Sequence, residues 1–112
     1  MEDKQSSKHQ WNDQMNIIEF INMIKSKQLF QLIDVRNQEE YENDHIENSM
    51  LIPLDRLDNQ LHLLDVAIPI VLYCRSGKRS QMAQEYLKSK GVSNVINLVG
   101  GIDAYNKEIK EK

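Results

Sequence analysis

The chain has 112 residues, a formal net charge of −3 and a hydrophobic fraction of 40%, which suits one compact domain with its own apolar core. The acidic balance, with no long basic stripe, argues against general nucleic-acid binding, and no stretch approaches the roughly 18 apolar residues of a transmembrane helix. A single cysteine excludes an intramolecular disulfide and fits a reducing compartment, so we expect a cytoplasmic protein with no membrane partner.

The chain begins with a polar segment. Residues 1–10 lack the apolar core of a secretory signal, and we expect them to form a mobile tail. The domain is expected to cover residues 11–112, with Trp11 anchoring its start.

A first helix is predicted after Asn16. Apolar residues recur there at helical spacing, and Asn16 with Glu19 three residues later has the pattern of a capping box. The apolar series consists of Ile17, Ile18, Ile21 and Ile24, widened by Phe20 and Met23.

The following segment predicts two short strands and two helical stretches. A strand at 31–35 ends in polar residues, a charged helix covers 39–43, and a second strand at 50–52 is stopped by Pro53. Leucines then recur at helical spacing, at Leu54, Leu57, Leu61 and Leu64.

A strand buried on both faces is predicted at Ile70–Tyr73, because apolar residues follow one another there without alternation. A helix at 79–90 is stopped by Gly91, and a further strand covers 95–99. The apolar face of the 79–90 helix is formed by Met82, Ala83, Tyr86 and Leu87.

The chain closes with a tight turn at Gly100-Gly101 and a last helix, which carries Ile102, Tyr105 and Ile109. Strands that alternate with helices predict an α/β fold with a mostly parallel sheet covered on both faces. In such sheets, ligands bind beyond the C-terminal ends of the strands. The segment after Tyr73 lies at such an end.

That segment carries the residues with chemical potential and reads Tyr73-Cys74-Arg75-Ser76-Gly77-Lys78-Arg79-Ser80. Gly77 lets the backbone curl, so that several N–H groups and the positive end of a helix dipole point at one centre. Together with the three cationic side chains, this cradle favours a thiolate at Cys74 and lowers its pKa. The cradle also suits a persulfide or an anionic sulfur donor, and Ser80 adds one hydrogen bond to the loop.

Each of these residues also has a plainer interpretation. A lone cysteine at a strand end is commonly a buried small hydrophobe, and loop cations are commonly just exposed. Asp34 and Arg36 lie at a strand end, where they border the pocket or, in the interpretation we favour, form an internal ion pair. His45 is interpreted as structural. One cysteine and scattered histidines give no metal-ligand spacing.

The sequence resembles the rhodanese homology domain from about residue 16 to residue 106, through five elements in the family's order. These elements are Leu32-Ile33-Asp34-Val35-Arg36, then Glu40-Tyr41 with His45-Ile46, then Cys74 to Ser80, then Gly91 with Val95, and last Gly100-Gly101-Ile102 with Tyr105. The chain departs from the family where Asp44, Glu47 and Asn48 replace glycine and Pro-Gly around the His-Ile pair. It departs again where Tyr105 replaces the usual tryptophan.

The resemblance implies a five-stranded parallel sheet flanked by helices, and a ping-pong sulfurtransferase. The Cys74 thiolate attacks the outer sulfur of thiosulfate or a persulfide donor, and the resulting persulfide passes its sulfur to cyanide or to a thiol of a small molecule or protein. Cys74 is then the catalytic residue, and no cofactor is implied. The substrate-binding loop would consist of Arg75, Ser76, Gly77, Lys78, Arg79 and Ser80.

Two other functions stay open. Related phosphatases and arsenate reductases have a loop one residue longer, in the pattern Cys-X5-Arg, and Ser80 stands here at the position of that arginine. The shorter loop makes a smaller cradle, which favours sulfur transfer over phosphate-ester hydrolysis. A non-catalytic sulfur-carrier or regulatory binding module is the second alternative. Binding or regulatory modules commonly lack the cysteine that this chain keeps at Cys74.

Overall fold

Five short strands form one parallel sheet in the computed structural model, which describes residues 13–110. The strands are β1 (Gln14–Met15), β2 (Gln31–Asp34), β3 (Met50–Leu51), β4 (Ile70–Tyr73) and β5 (Val95–Leu98). Their order across the sheet is β1-β5-β4-β2-β3, and every neighbouring pair is parallel. The predicted α/β class with a five-stranded parallel sheet is therefore confirmed.

Four α-helices and one 3₁₀ segment connect these strands. They are α1 (Ile17–Lys25), α2 (Gln38–Asn43), the 3₁₀ segment (Leu54–Leu63), α3 (Lys78–Ser89) and α4 (Gly101–Lys110). The predicted capping box before α1 forms, because Asn16 accepts from the Glu19 N–H at 2.8 Å. A second capping box, which was not predicted, begins α2, where Asn37 accepts from the Glu40 N–H at 2.8 Å.

The core is divided by the sheet into two clusters. Ile70 and Leu72 of β4 point to one face, where they meet Ala83 and Leu87 of α3. Val71 and Tyr73 point to the other face and join a cluster that includes Phe20 and Met23 of α1 and Ile102 of α4. Helices thus cover both faces, which explains why β4 is an apolar run without alternation.

The buried face of α1 differs from the predicted one. Phe20 and Met23 are fully buried, whereas Ile18 is 51% exposed and Ile24 is 43% exposed. The reason is aromatic packing: the Phe20 ring lies edge-on to the rings of Phe30 and Tyr105, at centroid distances of 6.0 and 6.2 Å. These contacts rotate the helix so that the isoleucines flank the buried stripe.

Other predicted elements also differ in detail. Strand β1 was not expected, and the leucine-rich stretch forms a 3₁₀ segment interrupted at Gln60 instead of an α-helix. Met82 and Ile109 are about half exposed, at 58% and 48%, because their helices turn other residues toward the sheet. The expected tail at residues 1–10, and Trp11, lie outside the described residues. Within residues 13–110, no helix combines the length and apolarity that a membrane span requires.

Candidate active site

The segment between β4 and α3 curls around the sulfur of Cys74. Strand β4 ends at Tyr73, and α3 begins at Lys78 with Gly77 as its cap residue at φ +115°. This φ lies in the left-handed region, which glycine adopts without a steric penalty. The turn at Gly77 directs the following backbone N–H groups back toward the end of β4.

Two of these N–H groups and one hydroxyl surround the Cys74 sulfur. The Gly77 N–H donates to Sγ at 3.1 Å and the Ser80 N–H at 3.4 Å, while the Ser80 hydroxyl lies 3.5 Å from Sγ. Cys74 itself is only 1% exposed and joins the core cluster under α3. The sulfur is therefore buried, but its polar surroundings are those of an anion site and not of an inert core cysteine.

The ionisation of Cys74 follows from two opposed effects. Burial raises the pKa of the thiol, but hydrogen bonds from the Ser80 hydroxyl and from the amides of Ser80, Gly77 and Ser76 outweigh it. The pKa of Cys74 therefore lies below its ordinary value. Hydrogen bonds that favour the charged form are the expected cause of such a decrease.

The carbonyl groups of the same loop are held by the start of α4. The Ile102 N–H donates to the Cys74 carbonyl at 2.9 Å, and the Asp103 N–H donates to the Arg75 carbonyl at 3.1 Å. Gly101 permits this close approach, because a Cβ at that position would lie 2.2 Å from the Cys74 carbonyl oxygen. Because α4 binds the carbonyls of Cys74 and Arg75, the N–H groups of the loop can point toward the sulfur.

The three predicted cations differ in their contacts and exposure. Arg75 is mostly exposed, with its side chain 3.7 Å from Asp103, and Lys78 is exposed on the first turn of α3. Arg79 is turned toward α2, where its guanidinium donates to both oxygens of Glu40 at 2.7 and 3.0 Å. The pKa of Arg79 is raised mainly by this hydrogen bond and further by the charge of Cys74. The cations thus surround the loop, while amides and the Ser80 hydroxyl contact the sulfur.

Asp34 and Arg36 form the internal ion pair that we favoured from the sequence. Arg36 Nε and Nη2 donate to the Asp34 carboxylate at 2.9 and 2.7 Å, and both residues are buried. Arg36 Nη2 also donates to the Asp44 carbonyl at 2.6 Å. The guanidinium borders two surface cavities of about 260 and 250 Å³, one shared with Arg79 and the other with Arg75. Arg36 therefore combines the structural role with a place beside the loop.

Sequence reasoning missed two contributors to the site. Glu40, on the short charged helix predicted at 39–43, binds the guanidinium of Arg79. Asn97, at the centre of the apolar β5, is 3% exposed and lies 2.5 Å from the Ser80 hydroxyl. A polar residue inside a buried strand was the available signal for Asn97, because such a group needs a hydrogen-bond partner.

The remaining histidine prediction concerns His45. Its ring stacks on Tyr41 at a centroid distance of 3.9 Å, and its Nδ1 lies 2.8 Å from the Tyr41 carbonyl oxygen. This position supports the structural interpretation. Within residues 13–110, no group of three or more His, Cys, Asp or Glu side chains is arranged for a metal ion.

A family model described as the Rhodanese-like domain matches residues 17–108. The chain belongs to the rhodanese-like family. Two curated relatives bear names that refer to sulfur. The chain is 39% identical over 80 residues to the adenylyltransferase and sulfurtransferase uba4 of Ogataea parapolymorpha, which covers 70% of the chain and 20% of the relative. It is 36% identical over 83 residues to the putative sulfur carrier protein YrkF of Bacillus subtilis, which covers 74% of the chain and 45% of the relative.

A solved rhodanese-like structure supports the same family. The rhodanese-like domain protein from Staphylococcus aureus aligns with a TM-score of 0.79 at 29% identity, covering 84% of this chain and 91% of that one. The chain spans 20% of the length of uba4 and 45% of the length of YrkF. The chain is therefore a rhodanese-like domain, and two of its relatives bear names that refer to sulfur. The contact of particular loop residues with substrate stays a prediction.

Proposed function

We propose that this rhodanese-like protein is a sulfurtransferase that carries sulfane sulfur on Cys74. The supporting observation is the set of donors around Sγ, with the Gly77 N–H at 3.1 Å and the Ser80 N–H at 3.4 Å. These donors lower the pKa of the thiol, so that a thiolate nucleophile forms without a separate general base. The names of the relatives uba4 and YrkF support sulfur chemistry at such a domain.

The proposed reaction has two steps, each a displacement at sulfur. The Cys74 thiolate attacks the outer sulfur of thiosulfate; an S–S bond to Cys74 forms, the S–S bond of the donor breaks, and sulfite leaves with the electron pair. A thiolate or cyanide then attacks the outer sulfur of the persulfide, and Cys74 leaves as the thiolate. The two steps balance without an external oxidant, which is the pattern of covalent catalysis by an activated nucleophile.

The partners that we propose follow from this reaction. The donor is an anionic small molecule, thiosulfate or a persulfide, and Arg75 and Lys78 are the exposed cations at the loop that would meet it first. The chain has a single cysteine, so no second thiol of its own can resolve the persulfide. The acceptor is therefore an external thiol or a protein. Because the Cys74 thiol must stay reduced, we propose a reducing compartment such as the cytoplasm for the protein.

Sulfur-loading mass spectrometry tests the proposal directly. After incubation with thiosulfate or a persulfide donor, the intact chain should gain the mass of one sulfur atom on Cys74, and a reductant should remove it. Cys74→Ser should abolish both the adduct and thiocyanate formation from cyanide. A wild-type protein that takes up no sulfur from either donor would refute the assignment.

Two alternatives have distinct outcomes in the same experiments. A phosphatase or arsenate reductase would hydrolyse a generic aryl phosphate or reduce arsenate, and the short loop ending at Ser80 argues against both. A sulfur carrier, as the name of YrkF suggests for that relative, would load sulfur on Cys74 but would release it to cyanide or small thiols no faster than a simple persulfide does. Loading followed by turnover favours the enzyme over the carrier.

A further inference from the structure

The Ser80 hydroxyl has one proton and three acceptors within reach. Its oxygen lies 2.5 Å from Asn97 Oδ1, 3.1 Å from the Gly77 carbonyl oxygen and 3.5 Å from Cys74 Sγ. A hydroxyl donates one hydrogen bond at a time. The acceptor that holds this proton therefore decides whether the Ser80 hydroxyl joins the backbone N–H groups as a hydrogen-bond donor to the sulfur.

A chain of side-chain amides fixes the orientation of Asn97. Gln84 Nε2 donates to the backbone carbonyls of Asp13 and Val95 at 2.8 and 3.0 Å, which leaves Gln84 Oε1 to accept from Gln14 Nε2 at 3.0 Å. Gln14 Oε1 must then accept from Asn97 Nδ2, at 2.9 Å. The amide orientations of such a network follow from its ends. Asn97 therefore presents its carbonyl oxygen, an acceptor only, to Ser80.

In this arrangement, the Asn97 carbonyl and the Cys74 sulfur are alternative acceptors for the one proton of the Ser80 hydroxyl. Asn97 and Ser80 are 3% and 0% exposed, so water does not replace a lost hydrogen bond easily. When the thiol is protonated, Ser80 donates to Asn97 and its oxygen faces the S–H group. When the thiol loses its proton to water, the hydroxyl has a charged acceptor at the sulfur, and turning to it leaves the Asn97 carbonyl without its donor.

We propose that Asn97 is a positioning residue of the sulfur site: its carbonyl competes with Cys74 for the Ser80 proton, and the hydroxyl turns to the sulfur when the thiolate forms. This inference deepens the proposed function, since it concerns the state of the same nucleophile. The amide chain opposes ionisation, while the backbone N–H groups of the loop promote it. Removing the Asn97 acceptor should therefore make the thiol more acidic.

Other charged and titratable groups lie around the loop, and the test must hold them constant. They are Asp34 at the end of β2, Arg36 after it, Glu40 on α2, Tyr73 on β4, Arg75 in the loop, Lys78 and Arg79 on α3, and Asp103 on α4. None of them is changed by a substitution at Asn97 or Ser80, so their effects cancel when the same substitution is compared in two backgrounds.

A double-mutant cycle on the full chain provides the test. The pKa of Cys74 is measured from the ultraviolet absorbance of the thiolate against pH, with Cys74→Ser as the blank, for wild type, Asn97→Leu, Ser80→Ala and the double variant. We expect Asn97→Leu to lower the thiol pKa by about one, the size of one hydrogen bond to a charged group, and to have no effect when Ser80 is alanine. The acidic limb of the pH profile for sulfur loading should move by the same amount.

A shift of equal size in both backgrounds would overturn the inference, because Asn97 would then act through its own dipole or through packing. An unchanged or raised pKa in folded Asn97→Leu would overturn it as well. If Asn97→Leu does not fold, Gln14→Ala provides a second variant. It removes the exposed partner of the Asn97 amide, so that this amide is free to turn. It should lower the pKa by a smaller amount that again depends on Ser80. The titration uses no sulfur donor, so its result is independent of the sulfur-loading test.

Discussion

At the scale of single residues, the chemistry of this site depends on backbone groups more than on long side chains. The shortest hydrogen bond to the Cys74 sulfur comes from the Gly77 N–H, at 3.1 Å. A peptide amide held in a loop loses no side-chain entropy when it binds an anion, unlike an exposed Lys78 or Arg75. The geometry of Gly77 therefore matters more for the thiolate than the charge of either neighbouring cation.

Gly77→Ala tests this dependence, with Gly91→Ala as the matched control. Both glycines have positive φ, +115° and +90°, and an added Cβ would meet nothing closer than 3.5 Å at Gly77 and nothing within 4 Å at Gly91. Each alanine should therefore cost about 1–2 kcal/mol of unfolding free energy, measured by denaturant titration, for conformational reasons alone. Only Gly77→Ala should also raise the pKa of Cys74, and an equal effect of the two variants on the thiol would contradict the role given to the Gly77 amide.

At the scale of elements, local signals in the sequence predicted much of the fold. The predicted capping box at Asn16 and the buried strand predicted from the apolar run of β4 both form. Strand β1 was beyond prediction, because Gln14–Met15 has two residues and one of them is polar. Its pairing with β5 depends on the order of strands in the sheet, which no local pattern encodes.

The same reasoning applies to the site. Cys74 and its loop are contiguous in sequence, so their proximity was predictable from the strand-to-helix turn. Asn97 lies 17 residues from Ser80, and Glu40 lies 39 residues from Arg79. Each contact joins α3 to another element, β5 through Asn97 and α2 through Glu40, and tertiary proximity of this kind cannot be read from residue spacing.

The contact between α2 and α3 through Glu40 and Arg79 predicts a pH dependence of stability. The hydrogen bond from Arg79 lowers the pKa of Glu40 from 4.5 to about 2. A carboxylate whose pKa is lower in the folded state stabilises that state fully above pH 4.5, and this stabilisation is lost as the pH falls toward 2. Glu40→Gln should therefore reduce the unfolding free energy at neutral pH, by about 1 kcal/mol for a partly exposed pair.

The wild-type and Glu40→Gln proteins should become equally stable near pH 2, measured by denaturant titration across the acidic range. Glu39→Gln removes the same charge from an exposed position on the same helix and serves as the control. A difference between wild type and Glu40→Gln that persists unchanged at pH 2 would show that the ion pair is not its cause.

At the scale of the whole molecule, charge is distributed unevenly. The chain carries a net charge of −3, yet Arg75, Lys78 and Arg79 gather at the C-terminal edge of the sheet. A dianion such as thiosulfate is repelled by the molecule at long range and attracted near the loop. Because Glu40 pairs with Arg79 and Asp103 lies 3.7 Å from Arg75, most of the local attraction falls to the exposed Lys78.

The rate of sulfur loading from thiosulfate should therefore fall when a positive charge is removed beside the loop, and should change little when the charge is removed elsewhere. Lys78→Gln should slow loading about three- to tenfold at low ionic strength, the size expected for one exposed charge near a dianion, and added salt should shrink that difference. Lys25→Gln removes the same charge at the end of α1, which runs from the C-terminal edge of the sheet back to the opposite edge, and should leave the rate nearly unchanged. Alkylation of Cys74 by a neutral reagent should be equally fast in both variants. If Lys25→Gln slows thiosulfate loading as much as Lys78→Gln, only the net charge of the molecule matters and the loop has no local attraction for its donor.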